Sequence, residues 1–183
     1  MNEDNMNDIP ILSIALFEPQ IPPNTGNISR LCVGLDIPLM LVGKMGFDID
    51  DKHVRRAGLD YWSNLKLERY ETMEEFLSAT ANRRKILATT KGARPYYKFV
   101  YQPGDILLFG AETHGLPLDY IRQNMDTAVT IPMPGQVRSL NLSNSAAIMA
   151  YHALIQLDYF GDYDVNRNYY EIFGGEGRFF GDK

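Results

Sequence analysis

A single cysteine, Cys32, stands in the 183 residues, which leaves no partner for an intrachain disulfide and no thiolate set for a zinc site. It lies among Ile28, Leu31 and Leu35, where it reads as a small buried hydrophobe rather than a reactive thiol. The three histidines, His53, His114 and His152, are scattered, and neither an H-E-x-x-H pair nor a carboxylate-rich loop accompanies them, so no metal ligand set is visible. His152, inside the last predicted helix, reads as a packed histidine with a hydrogen-bond partner. No apolar run approaches the roughly 18 residues a bilayer-spanning helix needs. The N-terminus, M-N-E-D-N-M-N-D, is acidic where a secretory leader would be basic, so the cytoplasm is the expected compartment. Nucleotide-binding and hydrolase motifs are missing too. Gly110 to Gly115 has the outer glycine spacing of a phosphate loop, but Leu116-Pro117 stand in place of Lys-[Ser/Thr]. No G-x-G-x-x-G follows the first strand, and no G-x-S-x-G is present.

Excess positive charge is also absent, since the formal net charge is −5. Its distribution matters more than its total. Residues 1–8 carry three acids and no base, and residues 158–183 carry six acids against three bases. The acidity therefore belongs to the ends. Between Ile9 and Leu157 the count is 14 acids to 15 bases, and the bases bunch at Lys52, Arg55 and Arg56, then at Lys91, Arg94 and Lys98. These clusters are ordinary solvated faces or, with Tyr61 and Trp62 beside the first, phosphate contacts and stacking platforms for RNA.

What is present is an alternation of short apolar runs with helical patterns. Runs at 11–17, 39–42, 86–90, 106–109 and 128–131 have strand length, and Leu65 to Tyr70 reads as an edge strand. Between them, Asn24 or Thr25 is expected to cap a helix carrying Ile28, Leu31, Cys32 and Leu35. Asp50-Asp51 can start a short helix through Ala57, and Thr72-Met73-Glu74-Glu75 matches a capping box. Pro117 opens a helix to about Asn124, and a last helix runs from Asn141 to Leu157. This pattern predicts a single α/β domain with a mostly parallel sheet and flanking helices over residues 9–157. An acidic extension (1–8) precedes it and an acidic, aromatic tail (158–183) follows it. In such a sheet ligands bind beyond the carboxyl ends of the strands. Three loops qualify: Thr89–Gly92, Gly110–Leu116 and Ile131–Asn144. The last crowds Ser139, Asn141, Ser143 and Asn144 at a helix start where one or two caps would suffice.

Three stretches carry a resemblance. E-P-Q-I-P-P-N-T-G-N-I-S-R (Glu18–Arg30), L-L-F-G-A-E-T-H-G-L-P (Leu107–Pro117) and I-P-M-P-G-Q-V-R-S-L-N-L-S-N-S (Ile131–Ser145) resemble the three motifs of the SPOUT methyltransferases. The closest likeness is to the TrmL-type branch, tRNA 2′-O-methyltransferases acting at the wobble nucleotide, which Met45–Trp62 also resembles. The likeness covers roughly Ile11 to Leu157. It implies a C-terminal trefoil knot, S-adenosylmethionine as cofactor with no metal, and tRNA as substrate, methylated on the ribose of nucleotide 34 (cytidine or modified uridine). Alternatives are another tRNA or rRNA position, or a non-catalytic RNA-binding relative.

Carried over by motif position, the resemblance implies active-site residues Asn24, Arg30, Glu112, Ser139 and Asn141. It implies cofactor contacts at Ala88, Gly110, Ile131, Ser139 and Leu140. RNA contacts are expected at Lys52, Arg55, Arg56, Lys91 and Arg94. Taken alone, Glu112 could simply cap the helix after Pro117. A glycine at 110 is expected because a side chain there would hold the backbone away from the cofactor. The apolar residues of the last helix, Ala146 to Leu157, cover nearly its whole circumference, so a second copy of the chain is expected to bury its outer side. The family pairs through its first and last helices.

Overall fold

In a computed structural model of the chain, residues 9–47, 62–161 and 163 are described. The expected helix from Asp50 to Ala57, the cluster Lys52, Arg55 and Arg56, and most of both terminal extensions lie outside them.

The apolar runs become parallel strands because each is buried on both faces, which only a sheet covered by helices on either side allows. In chain order they are β1 (Leu12–Phe17), β2 (Leu39–Val42), β3 (Leu67–Tyr70), β4 (Lys85–Ala88), β5 (Arg94–Pro95), β6 (Asp105–Phe109) and β7 (Ala128–Thr130). The sheet order is β3-β2-β1-β6-β4-β7-β5, and every neighbouring pair is parallel. Alternation along β1 splits the core: Leu12, Ile14 and Leu16 face one apolar layer and Ala15 the other. The helices α1 (Pro22–Gly34) and α4 (Leu142–Gln156) cover the first layer, with Ile28, Cys32, Met149 and Leu154 inward. The short helices α2 (Met73–Ala79) and α3 (Leu118–Gln123) cover the second through Phe76 and Ile121. Cys32 is fully buried, and burial pushes its thiol up to about 12.

Helix starts follow the sequence in three cases of four. Thr72 caps α2, its side chain accepting from the Glu75 amide, and Asn141 caps α4 by accepting from Ser143 and Asn144. Pro117 stands immediately before α3. The exception is α1. It begins at Pro22, with Ile21 in the cap position, so neither Asn24 nor Thr25 caps it. Two prolines open the helix because the amides they lack would have had no partner there. Asn24 and Thr25 are thereby turned inward, 4% and 2% exposed. The two-residue β5 lies between the runs at 86–90 and 106–109, where the sequence indicates no strand.

The order of the last strands is unusual. β7 lies between β4 and β5, so residues 89–93 must cross it. Thr89 and Ala93 donate their amides to the carbonyls of Val129 and Ala128, at 3.0 and 3.1 Å. Gly92 makes the crossing possible, since a Cβ there would lie 2.3 Å from the Val129 carbonyl carbon.

Candidate active site

The loops after β4, β6 and β7 converge with the start of α1 around a cleft of about 540 Å³. It lies beyond the carboxyl ends of the strands, where the chain runs from β1 to β2 on one side while β6 and β4 occupy the other. That is the crevice in which an open parallel sheet binds ligands. Ala88, Phe109, Ile131, Leu140 and Met149 supply apolar lining, while Asn24, Glu112, Ser139 and Asn141 supply polar groups.

Glu112 organises the polar side. Its carboxylate accepts from the backbone amides of Gln20 (2.9 Å) and Ile21 (3.2 Å) and from Asn24 Nδ2 (2.9 Å). It therefore holds the start of α1 and does not cap α3. Burial alone would push the Glu112 carboxyl up. The hydrogen bonds from Asn24 and from the backbone of Gln20, Glu112 and Ile21 outweigh burial and hold it below the usual carboxylate range. With Asn24 Nδ2 committed to the acid, its Oδ1 is the acceptor for Asn141 Nδ2 at 2.9 Å. Asn141 Oδ1 in turn accepts from the Ser143 amide (2.9 Å), the Ser143 hydroxyl (2.7 Å) and the Asn144 amide (3.4 Å). One unbroken chain of hydrogen bonds thus joins the β6 loop, α1 and the start of α4, with every amide orientation dictated by its neighbour.

Of the residues singled out in the sequence, Asn24, Glu112, Ser139, Asn141, Ala88, Gly110, Ile131, Leu140 and Lys91 all line the cleft. Arg30 does not. It is exposed on α1 and lines a second groove with Asn27, Leu31, Ser143, Asn144 and Tyr151. Arg94 also lies away from the cleft lining, its guanidinium 5.7 Å from the Phe99 ring centre. Gly110 is required for a reason beyond the one expected: a Cβ would meet the Gly115 carbonyl carbon and the Leu116 amide nitrogen, each at 2.2 Å, so the glycine lets its own loop close. His152 makes edge contacts with the rings of Tyr96 and Tyr101, but its buried Nε2 has no hydrogen-bond partner, contrary to expectation. Thr25 Oγ1 is likewise buried without one.

Thr89, His114 and Arg138 also line the cleft; each lies in one of the three loops that the sequence singled out but was given no role of its own, and Thr130, just before the last loop, was missed. Arg138 had a usable signal, a charge directly before Ser139 in the third loop. The cleft suits S-adenosylmethionine: its size is within the roughly 300–1,000 Å³ of small-molecule sites. The glycine-bounded β6 loop brings backbone close, and Ala88, Ile131 and Leu140 offer apolar faces to a flat ring.

Comparison with known proteins identifies the family. Residues 11–151 match the SpoU rRNA Methylase family. The tRNA (cytidine(34)-2′-O)-methyltransferase of Methylovorus glucosotrophus is 44% identical over 153 residues, which are 82% of this chain and 99% of that protein. The protein of that name from Escherichia coli is 43% identical over 152 residues, 82% of this chain and 97% of its own. A solved structure concerned with the 2-OH methylation of C/U34 on tRNA superposes with a TM-score of 0.75 at 37% identity, covering 81% of this chain and 97% of its own. The SpoU methyltransferase AviRb from Streptomyces viridochromogenes, in complex with the cofactor AdoMet, superposes with a TM-score of 0.71 at 26% identity, covering 86% of this chain and 63% of its own. By motif, fold and extent of match, the chain belongs to the SpoU methylase family.

Proposed function

We propose that this protein is an S-adenosylmethionine-dependent tRNA 2′-O-methyltransferase acting at the wobble nucleotide, position 34, on cytidine or modified uridine. The observation that carries the reading is the hydrogen-bonded unit Glu112–Asn24–Asn141, built into a cleft at the carboxyl edge of the sheet. The cofactor supplies an electrophilic methyl group on sulfur. Ala88, Gly110, Ile131, Ser139 and Leu140 would hold it, and the remaining residues must line up a ribose 2′-hydroxyl and let its proton leave. Glu112 has its oxygens engaged by three donors, so its task is to orient Asn24, with Asn141 fixing the opposite side of the same amide.

Arg30 is assigned to the substrate phosphate, which its planar fork can grip. A guanidinium keeps its proton and so is a poor proton acceptor. That Arg30 lies outside the cleft of its own chain supports a homodimer as the working form. On α4, Ile148, Tyr151 and Ile155 are 37%, 47% and 67% exposed, an apolar stripe that a second copy would cover. Tyr151 also lines the groove of Arg30, so pairing through this face would put Arg30 at the seam between copies. Lys91 in the cleft, Arg94 beside it in sequence, and the Lys52, Arg55 and Arg56 cluster are assigned to RNA, and the cytoplasm to the site of action. The trefoil knot belongs to the same reading, supported by the crossing of β7 by residues 89–93.

The test is transfer of a labelled methyl group from S-adenosylmethionine to total tRNA. Transfer by the wild type, with none by R30A that still binds S-adenosylmethionine, is the expected result. No transfer by the wild type at any tRNA concentration would remove the assignment.

A further inference from the structure

Among the described residues three non-glycines have left-handed backbone, and two of them, Asp36 and Asp158, are of the short polar type that tolerates it. The third is Glu18, with φ 47° at the end of β1. Glutamate gains nothing locally from that conformation, so the strain is held in place by its surroundings. The Glu18 amide donates to the Val42 carbonyl at 2.8 Å. Gly43 leaves the space the side chain needs, since a Cβ on it would lie 2.9 Å from Glu18 Cγ. So directed, Glu18 Oε2 comes within 3.4 Å of His114 Nε2.

The other ring nitrogen, Nδ1, is 3.1 Å from Thr113 Oγ1, and that hydroxyl donates its one hydrogen to Gln20 Oε1 at 2.7 Å. With its hydrogen given to Gln20, Thr113 Oγ1 can only accept, so the ring turns Nδ1 toward it and leaves Nε2 facing Glu18 and the cleft. His114 is half exposed and lines the cleft. Lys91 and Arg138 are the basic side chains of that lining, and its one acid, Glu112, already accepts from three donors. Among the described residues the cleft lining thus sets Lys91 and Arg138 against one engaged acid, and Glu18 is a further carboxylate behind the histidine.

We propose that His114 contacts a phosphate of the RNA substrate, and that Glu18 is an internal stand-in for that phosphate which the RNA displaces. The proposal rests on the RNA methyltransferase reading and adds to it a binding residue and a competitor. A long 3.4 Å contact between half-exposed partners is easily exchanged for a charge-assisted bond to a phosphate oxygen. An anion in this cleft could also be the carboxylate of the cofactor, and the experiment separates the two.

Equilibrium binding of tRNA and of S-adenosylmethionine is measured at fixed salt for the wild type, H114A, E18Q and H114A/E18Q. E18N serves as a second Glu18 variant, because asparagine adopts left-handed backbone readily. H114A should weaken tRNA binding about tenfold, the scale of one hydrogen bond to a charged group. E18Q and E18N should tighten it by about threefold, as removal of a weak exposed competitor would. The double variant should bind like H114A alone, and S-adenosylmethionine affinity should stay unchanged throughout. Wild-type tRNA affinity in H114A overturns the proposal. So does a gain from E18Q that persists without His114, which would make Glu18 a general repulsive charge. Loss of cofactor affinity without loss of tRNA affinity reassigns His114 to the cofactor carboxylate and equally overturns it. A wild type that binds no tRNA at all removes the functional reading itself, which is a separate outcome.

Discussion

At the scale of single residues, Glu112 shows how a motif position acquires its role from hydrogen bonds that no sequence pattern displays. E112Q keeps the size of the side chain but turns one acceptor into a donor facing donors, which should cost about 1 kcal/mol or more of stability. The pH dependence follows from the lowered carboxyl. Its contribution is complete above the usual carboxylate range and is lost as pH falls through the folded value. The stability advantage of wild type over E112Q, by chemical denaturation, should therefore be widest near neutrality and shrink as the pH falls below the usual carboxylate range. An advantage that grows on acidification would contradict the hydrogen-bond assignment.

Gly110 shows the opposite case. The residue was legible as a cleft residue, but this second reason for it was not, because the contact that forbids a Cβ comes from the same loop five residues on. G110V should accordingly lower the thermal midpoint as well as cofactor affinity. A variant that loses cofactor binding with an unchanged midpoint would restore the simpler account of a backbone approach to the ligand.

At the scale of elements, most strands and the last helix could be read directly, since burial on both faces writes itself as continuous apolar runs. The start of α1 could not. Asn24 and Thr25 are the residue types that cap helices, and only the packing of Pro22 and Pro23 at the opening turn shows them to be interior. The sequence therefore singled out Asn24 through its motif while misplacing it by three residues, most of a helical turn. Two capping residues separate structure from function. T72A removes the side-chain bond to the Glu75 amide and should cost about 1 kcal/mol with methyl transfer intact. N141A removes a comparable cap and also the bond to Asn24, so it should cost similar stability and most of the activity. Equal activity losses in the two, after correction for folded fraction, would make the Asn24–Asn141 link incidental.

At the scale of the whole molecule, the parallel sheet was legible but the strand order was not. The placing of β7 between β4 and β5 depends on a crossing that leaves only Gly92 as its trace in sequence. Arg30 likewise has no place in the cleft of its own chain, and its reading depends on pairing through α1 and α4. Replacing Ile155 by Asp puts charge on the most exposed apolar position of α4 and should shift the solution mass from dimer to monomer, with activity falling in step. A wild-type protein that is monomeric at micromolar concentration would leave Arg30 without its proposed role.

The proposed activity is defined by the ribose it methylates. Total tRNA treated with the protein and S-adenosylmethionine should, on nuclease mapping by mass spectrometry, gain one methyl group on the ribose of nucleotide 34 and nowhere else. A methyl group found on a base, at another nucleotide of tRNA, or only on ribosomal RNA would contradict it.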